Sequence, residues 1–303
     1  MKEGRPSTSP GLAILCMVGS CAVGVTSDAV TKWMTSTYPI GQILFVRNIF
    51  VFVPILLLVW RSGGFSVLRI HNIGTNLTRA VLMASGTFMF ILGLKLLPLA
   101  VMIAIGFTGP LLLTALAGPM LGEHVGWRRW SAVIVGFFGV LLMTRPGAGV
   151  FQWAILVPIV SAILGTLKDV VTRSLVATET PLAIMTFTTV VIIAAGASTV
   201  VLGWEPITVV DVALLAVAGI LVGTSHYLQI EAFRLAQVAL VAPFRYSTLV
   251  WGIGLGFLVF GELPDGWTIA GSGVVVASGL YIMHREAVRG LRTNAESAKH
   301  RRL

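Results

Sequence analysis

The chain has 303 residues, of which 56% are hydrophobic and 11% are charged, against roughly 25% charged residues in an average soluble domain. A formal net charge of +9 suggests nucleic-acid binding at first, but the Lys and Arg residues are scattered over loop ends and the stretch from Arg285 to Arg302. Cytoplasmic loops of polytopic membrane proteins carry such an excess of basic residues. We therefore exclude a nucleic-acid partner and predict a lipid bilayer around the chain.

Apolar blocks follow one another along the whole chain. Each block is long enough to cross a hydrocarbon core about 30 Å thick as a helix, which satisfies its own backbone hydrogen bonds in lipid. The sequence thus predicts an all-α polytopic membrane protein with ten transmembrane helices. The predicted spans, in chain order, are 11–31, 39–60, 72–95, 98–121, 127–144, 151–173, 182–203, 211–233, 239–260 and 267–284.

Ten spans place both chain ends on the same side of the membrane. With the N-terminus in the cytoplasm, fourteen Lys and Arg residues lie on the cytoplasmic side, and only Lys32, Lys95 and Arg145 lie on the other. Basic residues concentrate in cytoplasmic loops. We therefore expect both termini to be cytoplasmic.

The two halves of the chain repeat each other. Gly122-Glu123 of the first half matches Gly261-Glu262 of the second, and at almost the same offset the segment 28–32 matches 169–173. Such order at a nearly constant offset indicates an internal repeat. Because each copy holds five helices, an odd number, the second must enter the membrane inverted, which is a recurrent architecture of secondary transporters. We predict repeats at 1–147 and 148–284 and a basic tail at 285–303.

Three motifs of the first half carry a family resemblance. They are Gly93-Leu94-Lys95-Leu96-Leu97-Pro98-Leu99-Ala100, Gly122-Glu123-His124-Val125-Gly126-Trp127-Arg128-Arg129-Trp130 and Gly139-Val140-Leu141-Leu142-Met143-Thr144-Arg145-Pro146-Gly147. The region that contains them resembles the EamA unit of the drug/metabolite transporter superfamily, and Gly261 to Met283 resembles the end of a second unit. The resemblance implies a ten-helix bundle with a central cavity that works as a carrier without ATP. Members of the superfamily move amino acids, S-adenosylmethionine, riboflavin, metallophores and other metabolites.

Two pairs of opposite charges stand four residues apart near the ends of the first and sixth spans. They are Asp28 with Lys32 and Asp169 with Arg173. Each pair can form an ion pair that closes a helix end. Because the halves are inverted, the pairs can also act as two gates at opposite faces, and the pattern leaves both interpretations open.

Three arginines lie deep within predicted spans, namely Arg47, Arg79 and Arg245. A charge at the centre of a span costs about 2.5–3.5 kcal/mol on insertion scales, so it needs a partner, water or a function. The planar guanidinium suits a carboxylate or phosphate group of a substrate. A structural pairing of Arg47 stays an equal alternative. Arg245 and Tyr246 follow Pro243, where a helix break either frees backbone groups for a ligand or serves only packing.

The eighth predicted span carries His226, Tyr227 and Glu231. His226 and Tyr227 are candidates for substrate binding, and His226 is also a candidate proton carrier because histidine titrates near neutral pH. Glu231 stands three residues before Arg234. It therefore either pairs with that arginine at the cytoplasmic end or faces a cavity and couples proton movement to transport.

The sequence contains no nucleophile–base set and no HExxH, GxSxG or GxxxxGK[ST] motif, so we predict no enzyme activity and no cofactor. His124 and Glu123 are adjacent without further ligands, so we predict no metal site. The leading hypothesis is a secondary transporter in the bacterial inner membrane, a monomer or homodimer, that moves a small polar metabolite by alternating access. Amino acids or their derivatives are the first choice of substrate. The alternatives are uptake of a cofactor-type metabolite such as S-adenosylmethionine or riboflavin, and a channel or non-transporting scaffold.

Overall fold

The computed structural model describes residues 9–62, 64–121, 127–144, 153–175, 178–236 and 238–282. All regular secondary structure in these ranges is helical. Three short 3-10 helices lie at Phe65–Leu68, Thr199–Leu202 and Ala242–Tyr246. The α-helices are α1 (Pro10–Met34), α2 (Ile40–Arg61), α3 (Ile73–Leu96), α4 (Leu99–Gly106), α5 (Gly109–Leu121), α6 (Trp127–Thr144), α7 (Leu156–Leu175), α8 (Pro181–Ser198), α9 (Val209–Leu235), α10 (Val238–Val241), α11 (Ser247–Phe260) and α12 (Gly266–Ile282).

Within these ranges, seven helical segments are long and apolar enough to cross a membrane. The segments are Pro10–Met34, Ile40–Arg61, Ile73–Leu96, Leu99–Leu116, Pro181–Leu202, Val209–Leu235 and Ala242–Phe260. α6 and α12 hold shorter apolar stretches, Trp130–Met143 and Gly266–Ile282, and α7 carries Lys168, Asp169 and Arg173 within its 20 residues. The prediction of an all-α membrane protein is confirmed, and seven of the ten predicted spans meet the length and hydropathy of a span in the described part of the chain.

Two of the apolar segments are broken at proline. α4 ends at Gly106 and α5 starts at Gly109 with Pro110 in its first turn, while Pro243 lies in the 3-10 helix before α11. Proline lacks the backbone donor that would continue a helix. The two breaks meet in the bundle, because the rings of Phe107 and Tyr246 lie 4.6 Å apart between centroids.

The helices pack in a pattern that brings distant parts of the chain together. α1 lies against α9, α3 against α7, α2 against α8 and α9, and α3 against α8. Small residues allow close approach of membrane helices. An added Cβ at Gly219 of α9 would collide with the Arg47 carbonyl oxygen, and one at Gly223 would collide with the Pro54 ring. The glycines thus fix the α2–α9 contact, which borders the central cavity.

Candidate functional site

A cavity of about 330 Å³ lies in the middle of the bundle, between α1, α2, α3, α7 and α9. A second cavity of about 270 Å³ adjoins it, and α8 also contributes to its wall. Together they fall in the size range of small-molecule sites. Residues that line both cavities are Arg47, Met83, Thr87, Val222 and His226.

The charged residues of the cavity walls are mostly basic. Asp28 lines the first cavity, Arg79 and Lys168 line the second, and Arg47 lines both. Among the described residues of the walls there are thus three cationic side chains and one carboxylate. The lysine also lies 2.6 Å from Asp169. The cavity therefore has an excess of positive charge and of hydrogen-bond donors.

Arg47 is the most completely enclosed of these cations, with 5% of its surface exposed. Its Nη1 donates to Thr31 Oγ1 at 3.1 Å, whereas its Nε is buried without a hydrogen-bond partner. A buried donor left unpaired costs about 1–3 kcal/mol. Such a group in a cavity wall is therefore suited to receive an acceptor atom of a solute.

Arg79 lies on α3 and is half-buried. Its Nε donates to Thr172 Oγ1 at 2.8 Å and its Nη1 donates to Thr188 Oγ1 at 2.6 Å. The two hydroxyls belong to α7 and α8. Arg79 therefore joins three helices while it lines the second cavity.

The candidates on α9 separate into different places. His226 lines both cavities and Gln229 lines the second, whereas Tyr227 is in neither wall. Glu231 accepts a hydrogen bond from Arg234 Nε at 2.9 Å and lies 2.8 Å from Arg234 Nη2. The glutamate is thus held at the end of the helix by the neighbouring arginine.

The predicted pairing of Asp28 with Lys32 is wrong. Lys32 Nζ instead lies 2.5 Å from Glu262 Oε1 and donates to the Leu97 carbonyl oxygen at 2.8 Å. Asp28, one turn earlier on α1, faces the first cavity. The reason is that the end of α1 packs beside the α3–α4 junction, where both acceptors are within reach of the lysine. The side chain of Arg173 lies outside the described residues, and Asp169 has Lys168 as its partner.

Arg245 and Tyr246, the other substrate-binding candidates, lie apart from the two central cavities. Arg245 is exposed, and neither residue lines the two central cavities. Both lie in the 3-10 helix Ala242–Tyr246. The Tyr246 ring packs on Phe107.

Two residues of these sites were not selected as candidates from the sequence. Lys168 lines the second cavity, and Glu262 binds Lys32. Glu262 Oε2 also accepts from the Leu99 backbone N at 3.0 Å. The repeated Gly-Glu dipeptide was a visible signal for Glu262, because Gly261 ends the helix in a left-handed conformation, with φ of 67°.

Polar clusters also join the loops at the two ends of the bundle to neighbouring helices. Tyr38, between α1 and α2, donates to Asp211 Oδ2 at 2.6 Å, and this hydrogen bond raises the pKa of the tyrosine. Glu179, between α7 and α8, accepts from the backbone N atoms of Asn72 and His71, both at 2.8 Å. These hydrogen bonds, with that from Asn72 foremost, lower the pKa of the buried Glu179 carboxyl.

Comparison with known proteins gives a consistent result. The model of the EamA-like transporter family matches residues 11–145. A riboflavin transporter of Rhizobium johnstonii is 31% identical over 295 residues, which cover 95% of this chain and 97% of that protein. An S-adenosylmethionine uptake transporter of Rickettsia bellii is 25% identical, over 91% of this chain and 93% of that protein.

More distant matches agree with this. The pseudopaline exporter CntI of Pseudomonas aeruginosa is 25% identical over 83% of this chain and 88% of that protein. A solved crystal structure shares the fold with a TM-score of 0.64 at 18% identity, over 93% of this chain and 99% of that chain. The chain therefore belongs to the EamA-like transporter family of the drug/metabolite transporter superfamily, and it is a membrane transporter rather than an enzyme.

Proposed function

We propose that the protein is a secondary carrier that takes up a cofactor-type metabolite across the bacterial inner membrane, with riboflavin as the first solute to test. The relatives described above are named for riboflavin, S-adenosylmethionine and pseudopaline. These names do not support amino acids, the first choice from the sequence, and they support the cofactor alternative. The relative with the higher identity is named a riboflavin transporter.

The charge of the central cavity favours one of the two cofactors. Its described walls hold Arg47 and Arg79 against the carboxylate of Asp28, and Lys168, which also lines the wall, is paired with Asp169. Riboflavin has no cationic group, and its ring carbonyls and nitrogens accept hydrogen bonds. Phe90 in the first cavity adds an aromatic surface for a flat ring system. Excess positive charge and donors therefore favour riboflavin.

S-adenosylmethionine is the second candidate. The sulfonium and ammonium groups of this solute are cations, which the basic wall repels. One observation favours it, namely the Asp28 carboxylate on the wall of the first cavity, because a carboxylate can hold a cation there. The solute's own carboxylate would then bind an arginine.

Many secondary transporters achieve alternating access with two similar units. We propose that this chain has ten spans in two inverted units at 1–147 and 148–284, with a tail at 285–303. The helix contacts support this arrangement. In an inverted repeat, α7, α8 and α9 would correspond to α1, α2 and α3. The symmetry then predicts that the α1–α9 contact has its counterpart in α7–α3, and that the α2–α9 contact has its counterpart in α8–α3. All four contacts occur. α6, α7 and α12 would complete the seven apolar spans to ten.

Two hydrogen bonds support the same symmetry at the level of single atoms. Ser20 Oγ of α1 donates to the Ser225 carbonyl oxygen at 2.8 Å, and Ser161 Oγ of α7 donates to the Gly86 carbonyl oxygen at 2.9 Å. Ser161 corresponds to Ser20, and Ser225 to Gly86, at the offsets that relate the two halves of the sequence. In this proposal the two units rock around the cavity between them. In the same proposal both termini are cytoplasmic, and the carrier is a monomer or homodimer.

The test is flux into proteoliposomes that contain the purified protein. We expect labelled riboflavin to enter faster than into empty liposomes, without ATP, and unlabelled riboflavin to compete with it. Labelled S-adenosylmethionine and a set of amino acids serve as comparison solutes. Absence of riboflavin flux alongside flux of S-adenosylmethionine would favour the second candidate, and absence of both would contradict the proposal.

A further inference from the structure

Two arginines lie at matching depths from opposite faces of the bundle. Arg47 is seven residues after the first residue of α2, Ile40, and Arg79 is six residues after the first residue of α3, Ile73. At 1.5 Å per residue these separations are about 10 Å and about 9 Å. Because the segment 62–72 joins the end of α2 to the start of α3, we take the two helices to start at opposite faces. By the predicted orientation, Arg47 is nearer the outer face and Arg79 nearer the cytoplasmic face.

The two guanidinium groups also have equivalent partners in the two halves. Arg47 donates to Thr31 of α1, and Arg79 donates to Thr172 of α7. The two threonines match each other in the repeat, within the matching segments 28–32 and 169–173. The same offset leads from Arg47 to Thr188, the second partner of Arg79. Both arginines belong to the first half of the chain. Arg47, on α2, donates to a threonine of the first half, whereas Arg79, on α3, donates to threonines of the second half.

Both arginines keep donors for a ligand. A guanidinium group has five N–H donors, and Arg47, at 5% exposure, has a buried Nε with no hydrogen-bond partner. Arg79 uses its Nε and Nη1 on the two threonines, and its Nη2 makes no hydrogen bond to the described residues. The second cavity is lined by both residues, and the first by Arg47. A solute in the second cavity can therefore contact either guanidinium.

From this geometry we infer that Arg47 and Arg79 are two successive binding stations for the same oxygen-bearing group of the solute, Arg47 for entry from the outer face and Arg79 for release to the cytoplasmic face. The group is a carbonyl, carboxylate or phosphate oxygen, which a planar guanidinium binds well. The inference rests on the proposed transport function and adds the residues that select the solute. It also explains why two arginines of the first half bind matching threonines of the two halves.

The first experiment measures exchange of labelled riboflavin in proteoliposomes with one orientation of the protein. We expect Arg47→Gln to raise the half-saturating concentration at the outer face by about 10- to 100-fold, the loss typical of a charge-assisted hydrogen bond. Arg79→Gln should do the same at the cytoplasmic face, and each variant should change the opposite face much less. Arg47→Lys and Arg79→Lys keep the positive charge but lose the planar arrangement of N–H donors of a guanidinium. Their half-saturating concentrations should lie between those of wild type and of the Gln variants. Equal changes at both faces would indicate one shared site, and unchanged values in both variants would indicate a structural role; either result overturns the inference.

The second experiment needs no solute. In a background with Cys16→Ser and Cys21→Ser, which removes both cysteines of the chain, Arg47→Cys and Arg79→Cys are labelled with a membrane-impermeant thiol reagent from each side. Residue 47 should react from the outer face and residue 79 from the cytoplasmic face. Reaction of both from the same face would overturn the two-station inference even if riboflavin is carried. If the two residues are labelled from opposite faces but riboflavin is not transported, only the proposed solute is contradicted. The first experiment would then be repeated with labelled S-adenosylmethionine.

Discussion

The charged groups at the ends of the helix bundle differ from those of its central cavity in what they contact. At one end, both oxygens of Glu262 have partners, Lys32 Nζ at 2.5 Å and the Leu99 backbone N at 3.0 Å. At the other end, Glu179 Oε1 accepts from two backbone N atoms, while its Oε2 lies 3.6 Å from His71 Nδ1 and has no hydrogen-bond partner among the described residues. In the cavity, Arg47 keeps a buried Nε without a partner. Charges at the ends therefore hold helix junctions together, while the charge in the cavity remains available to a solute.

This comparison predicts that changes in the cavity reduce transport without loss of fold, and the largest such effect should come from Gly165→Leu. Gly165 lines the first cavity, and an added Cβ there meets no atom within 4 Å. A leucine would therefore occupy the solute's space without a clash in the backbone. We expect riboflavin flux to fall to the level of empty liposomes while thermal unfolding in detergent stays close to wild type.

Gly254→Leu is the matched control, because Gly254 of α11 also has open space around its Cβ but does not line the two central cavities. It should keep both flux and unfolding temperature. If Gly165→Leu transports normally, the cavity is not the route of the solute. If it fails to fold, Gly165→Ala gives the smaller change for the same test.

Changes at the ends of the bundle should lower stability more than transport. Lys32→Met tests this at the contact between Lys32 and Glu262. The substitution leaves the glutamate, whose side chain is 27% exposed, without its cation. We expect a loss of about 1–3 kcal/mol in the free energy of unfolding, the usual cost of removing one partner of a buried polar contact, discounted toward the lower value for partial exposure.

The exposed Lys95 lies at the same face of the bundle, so Lys95→Met is the control and should change unfolding by less than about 0.5 kcal/mol. Chemical unfolding in detergent measures both. A Lys32→Met protein of wild-type stability but altered flux would show that the Lys32–Glu262 pair acts as a gate instead of a structural contact.

The smallest expected effect concerns pH at the opposite end. The pKa of the Glu179 carboxyl in the folded protein lies below its ordinary value of 4.5, because Asn72 and His71 donate backbone hydrogen bonds to the ionised form. Its contribution to stability is therefore complete above that ordinary pKa and is lost as the pH falls through the lower folded pKa. Glu179→Gln should be less stable than wild type near neutral pH and should lose less stability on acidification.

The control for this prediction is Glu205→Gln in the loop before α9, because the Glu205 side chain is exposed. It should keep the pH dependence of wild type. Unfolding temperatures in detergent, measured above and below the ordinary carboxyl pKa, give the comparison. Identical pH dependence of Glu179→Gln and wild type would contradict the role of the backbone hydrogen bonds.

The positions of the apolar helices could be predicted from the sequence with small errors. The predicted spans 39–60 and 72–95 correspond to α2 at Ile40–Arg61 and α3 at Ile73–Leu96. Length and apolar content fix such elements because lipid offers the backbone no alternative partner. The helix break at Pro243 can be predicted for a similarly local reason, because proline lacks the backbone donor that would continue a helix.

The partners of the charged residues could not be predicted in the same way. The interpretation of Asp28 and Lys32 used their local spacing, whereas the partner of Lys32 is 230 residues away. Arg245 lies within a predicted span, yet its side chain is exposed and does not line either central cavity. Both differences arise because side-chain direction and long-range packing are absent from a hydrophobicity pattern.

By itself the sequence determined the class of protein, the apolar helices and the resemblance to one transporter family, because each depends on residues close together in the chain. The tertiary structure decided which buried charges share a cavity and which are paired. Arg47 and Arg79 lie on separate helices, and their partners Thr31 and Thr172 come from different halves of the chain. Only the packing of α1, α2 and α3 against α7, α8 and α9 brings these groups to one site.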